Sequence, residues 1–367
     1  MKAWLRKLPL SISGLMLGLA ALGILLGPYH MGTRNLLGGS AGLLMVFLTV
    51  KILRFPETLK DSFRNPVTET ALAAYPMSIM LLSTYVQPAM PLAAYTAWQL
   101  AIGLSVLLMV LSLRTLLRQF SIGKVYPSLF LLFVGITVAG MTAPVYGMEL
   151  LGQMLFWFGL IVSLPLLVLV TYRVLVIRDM PEQARPTLIL YAAPAALLLS
   201  GYLGSFPEKD SAVLLPLSFF AVLMTVYGVV QMARLMVKHS FSPSFSIFTF
   251  PFVFSALAFS SLTAYLNRTG SVSSWFVPVR TFMVLGSTLL VFHVFFQYVW
   301  YMAKPGMTDA RQETGILDGE AEWAGTVDNH PASPETHPAP EEGQPGSAQD
   351  IPVSSKEKEP EDKEKAV

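Results

Sequence analysis

Tyr191-Ala192-Ala193-Pro194 and Phe248-Thr249-Phe250-Pro251 each set a proline inside a long apolar run, and Ala73-Ala74-Tyr75-Pro76 does the same earlier in the chain. A proline inside a helix removes one backbone hydrogen bond and kinks it. Pro76 and Pro194 are 118 residues apart, and Pro194 and Pro251 are 57 apart. That spacing implies a unit of about 59 residues, so repeats of this kind are sought at the same interval elsewhere. Gly135 and Gly18 stand at the two remaining positions, which completes a series at 18, 76, 135, 194 and 251.

Around these breakers the sequence offers ten apolar runs, roughly 8–27, 37–54, 68–86, 91–111, 127–145, 148–173, 187–206, 212–235, 246–266 and 276–301, each near the ~20 residues that cross a bilayer core. The five breakers fall in the odd-numbered runs. The expected fold is therefore all-α integral membrane: ten transmembrane helices as five parallel helix hairpins around a pseudo-fivefold pore. The odd helices should form the inside, because irregular backbone at membrane depth is tolerated where it is buried in protein or lines a cavity. Gly18, Tyr75, Pro76, Gly135, Pro194 and Pro251 are then pore-lining or kink residues. Gly and Pro are also simply common in membrane helices.

Composition agrees with this. Of 367 residues, 53% are hydrophobic and 13% charged, against about 25% charged in a soluble domain. Residues 1–303 hold 19 basic and 8 acidic side chains, whereas residues 304–367 hold 6 and 15. The first part reads as one membrane domain and the second as a disordered, acidic cytoplasmic tail with too little apolar surface to offset ordering entropy. Cysteine is absent, which excludes disulfides, thiolate metal sites and cysteine nucleophiles. No nucleophile–base pair, metal cluster or cofactor motif is present, so neither an enzyme nor a cofactor or nucleic-acid partner is expected.

Sixteen basic residues between the runs fall on one side, including Lys51, Arg54, Arg114, Arg118, Arg173, Arg178 and Arg234, and only Arg34, Lys209, Arg268 and Arg280 fall on the other. The positive-inside rule then puts both termini in the cytoplasm of a multi-pass protein, which in a bacterium means the inner membrane. The first run exceeds the 7–15 residues of a signal-peptide core, so it is expected to remain as a span.

A solute path normally shows itself by ionisable residues within the membrane, and this chain offers few. Glu69 and Glu149 open the third and sixth runs, where a carboxylate also complements the positive helix end. A proton or sodium relay is hard to build from them. Arg280 opens the tenth run, where it either attracts anions to the outer mouth or snorkels to the interface. His293 and Gln297 lie one turn apart on an outer helix and read as structural. Phe250, beside Pro251 in the inner set, is either a ring that closes a narrow pore or an aromatic core contact.

Several stretches resemble the tellurite-resistance/dicarboxylate transporter family, which includes tellurite-resistance protein A and the plant slow anion channels. The stretch from Pro9 to Gly23 is similar to that family's first helix. Tyr126-Pro127-Ser128-Leu129-Phe130 followed by Val134-Gly135-Ile136 is similar to its fifth, and Arg185-Pro186-Thr187 leading to Ala192-Ala193-Pro194 to its seventh. Phe248-Thr249-Phe250-Pro251 is similar to its ninth. The resemblance covers about residues 8–303 and leaves out the tail. It implies a ten-helix barrel assembled as a homotrimer in the lipid bilayer, each protomer with its own pore for small anions. The implied cargo is C4-dicarboxylates such as malate, or inorganic anions such as sulfite, tellurite, chloride or nitrate. It also implies that Phe250 plugs that pore. Two rivals remain open: a proton-coupled C4-dicarboxylate carrier on the same fold, which would need Glu69 or Glu149, and a non-transporting scaffold whose tail recruits partners.

Overall fold

The computed structural model describes residues 8–56, 66–118, 122–178, 182–238, 243–270 and 273–303. The acidic tail lies outside them. The described residues form helices and connecting turns, with no strand among them. In chain order the α-helices are α1 Ile12–Leu26, α2 Met31–Arg54, α3 Pro66–Val86, α4 Pro91–Arg118, α5 Ser128–Val134, α6 Thr137–Thr142, α7 Glu149–Tyr172, α8 Ala192–Ser205, α9 Ser211–Lys238, α10 Thr249–Arg268 and α11 Phe276–Ala303. Two 3₁₀ segments, Glu182–Tyr191 and Pro243–Phe248, lead into α8 and α10, and a π turn, Arg173–Ile177, extends α7.

Seven segments are long and apolar enough to cross a membrane: α2, α4, α7, α9 and α11, together with Thr187–Ser205 and Phe245–Arg268. The pair α5 and α6, bent by 43°, makes an eighth if counted as one span. The first and third of the ten expected runs are not among these. α1 is apolar but only 15 residues long, and α3 dilutes its 21 residues with Glu69, Tyr75, Pro76 and several hydroxyls.

Two environments divide the helices. In their apolar stretches, 83% of Thr187–Ser205 and 89% of Phe245–Arg268 is buried, against 22–28% of α2, α4, α7, α9 and α11. α1 is buried almost without interruption from Ile12 to Leu25. A helix apolar on every side belongs inside. The inner helices touch in a closed cycle: α1 meets α3, α3 meets the α5–α6 pair, that pair meets α8, α8 meets α10, and α10 returns to α1. Each outer helix packs on its own hairpin partner and on the next inner helix, so that α2 meets α1 and α3, and α11 meets α10 and α1.

The outer helices bury one seam each. In α4 the seam is Ala94, Trp98, Ala101, Ser105, Leu108 and Ser112. In α7 it is Gly152, Phe156, Gly159, Ser163, Leu166 and Val170. The steps of three and four keep one face on the neighbour. The remaining faces carry Leu164, Val168, Phe219, Val237 and Phe282, all largely exposed. This inverts the soluble pattern, and lipid is the solvent that suits it.

Candidate functional site

The inner ring is where the sequence located its candidates, and α10 gives them most of their geometry. The chain enters α10 through the 3₁₀ segment ending at Phe248. The Thr249 hydroxyl donates to the Ser246 carbonyl at 2.8 Å, and the Ser246 hydroxyl donates across to the Ser11 carbonyl at 2.7 Å. That bond closes the seam between the chain's last and first inner helices. Phe250 and Pro251 follow as the second and third residues of α10. Phe250 is fully buried, with its ring edge-on to Phe254 at 6.5 Å between centroids.

Gly18 reaches the same place from α1. A β-carbon there would lie 2.8 Å from Thr249 Oγ1 and 3.7 Å from Phe250 N. Gly18 therefore does not break α1, which runs unbroken from Ile12 to Leu26. It lets α1 approach the base of α10.

The five aligned breakers thus do different work, Gly18 and Gly135 apart from the three prolines. Pro194 and Pro251 each stand third in an α-helix that follows a 3₁₀ segment. The first-turn N–H groups have no partner in the helix, so proline costs little there and marks the start of α geometry rather than bending its middle. Of the three aligned prolines, only Pro76 sits in the interior of an unbroken helix. Gly135 lies in the bend between α5 and α6 and packs beside the Met77 thioether next to Pro76.

Two of the prolines also face outward. Pro76 and Gly135 share a small crevice with Ser105 and Leu108 of α4. Pro194 lines a larger one with Ser163 and Leu164 of α7 and Leu217 and Phe220 of α9. Tyr75 turns to α2, where its hydroxyl is 2.7 Å from Thr49 Oγ1. Thr49 spends its own proton on the Met45 carbonyl, so Tyr75 is the donor. These side chains shape the inner helices from behind.

Arg280, at the start of α11, donates to the Tyr29 hydroxyl at 2.9 Å. It ties α11 to the turn between α1 and α2. At the same end, Arg34 donates to the Thr84 carbonyl in the last turn of α3 at 3.4 Å and lies 4.6 Å from the Tyr85 ring centre. Lys209, half-buried between α8 and α9, donates to the Phe206 and Pro207 carbonyls. Burial, and then the nearby Arg268 charge, pull its pKa below the ordinary lysine value. His293 accepts from the Gln297 amide at 2.8 Å on the exposed face of α11.

The opposite end carries polar ties that sequence reasoning missed. Glu69 is more than a first-turn charge: Ser112 of α4 donates to its Oε1 at 3.3 Å and Ser128 of α5 to its Oε2 at 3.0 Å, so one carboxylate joins three helices. Lys51 of α2 is buried and donates to the Leu8 carbonyl ahead of α1. Arg173, at the end of α7, is buried, donates to the Val125 carbonyl ahead of α5 at 2.5 Å and lies 4.1 Å from the Tyr126 ring centre. Each cation holds the entry to the inner helix of its own hairpin. The two are 122 residues apart, about twice the repeat, and this was a signal the breaker series left unused. No group of residues able to hold a metal occurs among the described residues.

No curated protein matches the chain. A family model described as voltage-dependent anion channel matches residues 7–299. That range holds every helix of the inner cycle and the outer helices except the last turn of α11. With its several lipid-compatible spans, the chain is a multi-pass membrane protein of a family of anion channels and transporters. By the extent of that match, it belongs to the voltage-dependent anion channel family.

Proposed function

We propose that the chain conducts small anions along the axis of its inner ring, with Phe250 as the gate. Ten membrane crossings as five parallel hairpins, both termini in the cytoplasm and one pore in each protomer of a trimer complete this reading. The observation that carries it is the position of Phe250: fully buried, on an inner helix whose apolar stretch is 89% buried, at the switch from 3₁₀ to α geometry, with Gly18 of α1 drawn against its backbone. A large ring on a narrow axis blocks the path and excludes water from it. Malate and related C4-dicarboxylates and inorganic anions such as chloride, nitrate, sulfite or tellurite are the candidate cargo. The family description adds that gating responds to voltage.

Anion currents from the reconstituted full-length chain test the reading. Phe250→Ala should raise them at every voltage, whereas no anion current in either form would exclude a channel.

A second reading is favoured by Glu69. A carboxylate shared by α3, α4 and α5 is a natural place for a coupling proton, and a proton-coupled dicarboxylate carrier would use it. Malate uptake driven by a pH gradient and lost in Glu69→Gln distinguishes this carrier from the channel.

A further inference from the structure

The crevice backed by Pro194 is a feature that an axial anion path does not use. It lies over α8, between the outer helices α7 and α9, and has a cavity volume of about 120 Å³. That is well below the roughly 300–1,000 Å³ of sites that enclose a whole small molecule, and it suits a short stretch of a linear chain. Phe130, Pro194 and Leu198 form its floor, and Leu160, Leu164, Leu167, Leu217 and Phe220 are among its walls. Ser163 is the polar side chain in the lining, and its hydroxyl already donates to the Leu160 carbonyl at 2.8 Å. Nothing in the lining therefore recognises a charge or a head group. The related crevice behind Pro76 has a cavity volume of about 0 Å³ and so no room for a chain.

The mouth decides the occupant. Leu164 at the rim is 58% exposed, and it continues into Val168 on α7 and Phe219 on α9, which are 70% and 72% exposed. The crevice thus opens directly from the lipid-facing surface, and Leu160 to Leu167 place it near the middle of α7. An unfilled apolar gap there forfeits dispersion contacts that a hydrocarbon chain restores. The geometry points to this crevice as a binding site for the acyl chain of a bilayer lipid, inserted between α7 and α9 onto the back of α8. The chain would press on the first turn of α8, where 3₁₀ geometry ends, and α8 packs against α10. The site stands whether or not the protein conducts.

The full-length protein reconstituted in phosphatidylcholine vesicles tests this, with a photoreactive diazirine at the middle of one acyl chain. After irradiation, mass spectrometry should find lipid adducts on the floor residues Phe130, Pro194 or Leu198 as well as on exposed Val168 and Phe219. Ser163→Phe fills the crevice and should abolish the floor adducts while those on Val168 remain. If that variant does not fold, Leu164→Trp at the rim should produce the same loss. Adducts confined to Val168 and Phe219 in the unmodified chain would overturn the site. Crosslinks joining floor residues to a second copy of the chain would overturn it too, by assigning the crevice to another occupant.

Discussion

Gly18 stands against Thr249 so closely that a single added methyl group would come within 2.8 Å of the threonine hydroxyl oxygen. That hydroxyl is committed to the Ser246 carbonyl and cannot turn away without losing its bond. Gly18→Ala should therefore destabilise the protein despite a helix-propensity gain of about 1 kcal/mol, because overpacking typically costs about 1–3 kcal/mol. Gly103 on α4 has open space around it, so Gly103→Ala should keep or raise the melting temperature. Thermal unfolding of the two variants in one detergent checks the contrast.

Glu69 gives a second expectation. Ser128→Ala removes the shorter of its two hydroxyl bonds and leaves a half-buried carboxylate with less support, a loss of about 1–3 kcal/mol. In the channel reading, Glu69→Gln lowers stability modestly but leaves anion flux largely intact and equally insensitive to a pH gradient. Loss of flux together with loss of pH dependence would move the assignment to the carrier.

The outer seams and the inner ring were legible in the sequence to different degrees. Leu164, Val168 and Phe219 announce lipid because charge is almost absent around them. Pro194 and Pro251 each stand third in an α-helix, and spacing alone could not separate a mid-helix kink from a first-turn proline. The two differ in whether a backbone hydrogen bond is lost. Gly18 looked like a break and is a close approach, a distinction that lies in Thr249, more than two hundred residues away. Ser112 and Ser128 were invisible as partners of Glu69 for the same reason: they meet it only after α3, α4 and α5 pack. Tyr75 shows the same limit, since its hydroxyl meets Thr49 on the outer helix α2, a contact that its place beside Pro76 did not announce.

Lys209 predicts an alkaline limb. Its folded pKa lies below the ordinary lysine value, so the burial cost is present while the native side chain is charged. That cost fades as pH rises through the folded value toward the unfolded one, and stability contributed by this group rises across that window. In the channel reading its positive charge would also draw anions, and that charge is lost over the same range. Anion current at low ionic strength should fall as pH is raised toward the ordinary lysine value, and Lys209→Arg should hold it level. An unchanged alkaline fall in Lys209→Arg would remove Lys209 from the account.

Orientation is open to a direct check. Reporters fused after Lys209 and after Lys304 should report opposite sides of the membrane, with the second in the cytoplasm. The same side for both would refute ten crossings with the charge asymmetry as read.

The gate is tested by comparing Phe250→Ala with Phe248→Ala in single-channel or vesicle-flux recordings. Both rings are fully buried, so each truncation should cost a similar amount of stability, about 3–5 kcal/mol by analogy with soluble cores. Phe248 ends the 3₁₀ segment and Phe250 sits two residues on within α10, so the two rings leave the backbone in different directions. Phe250→Ala alone should raise anion conductance, with Phe248→Ala folded and no more conductive than the unmodified chain. Equal gains in both variants, or no gain in Phe250→Ala, would contradict the gate.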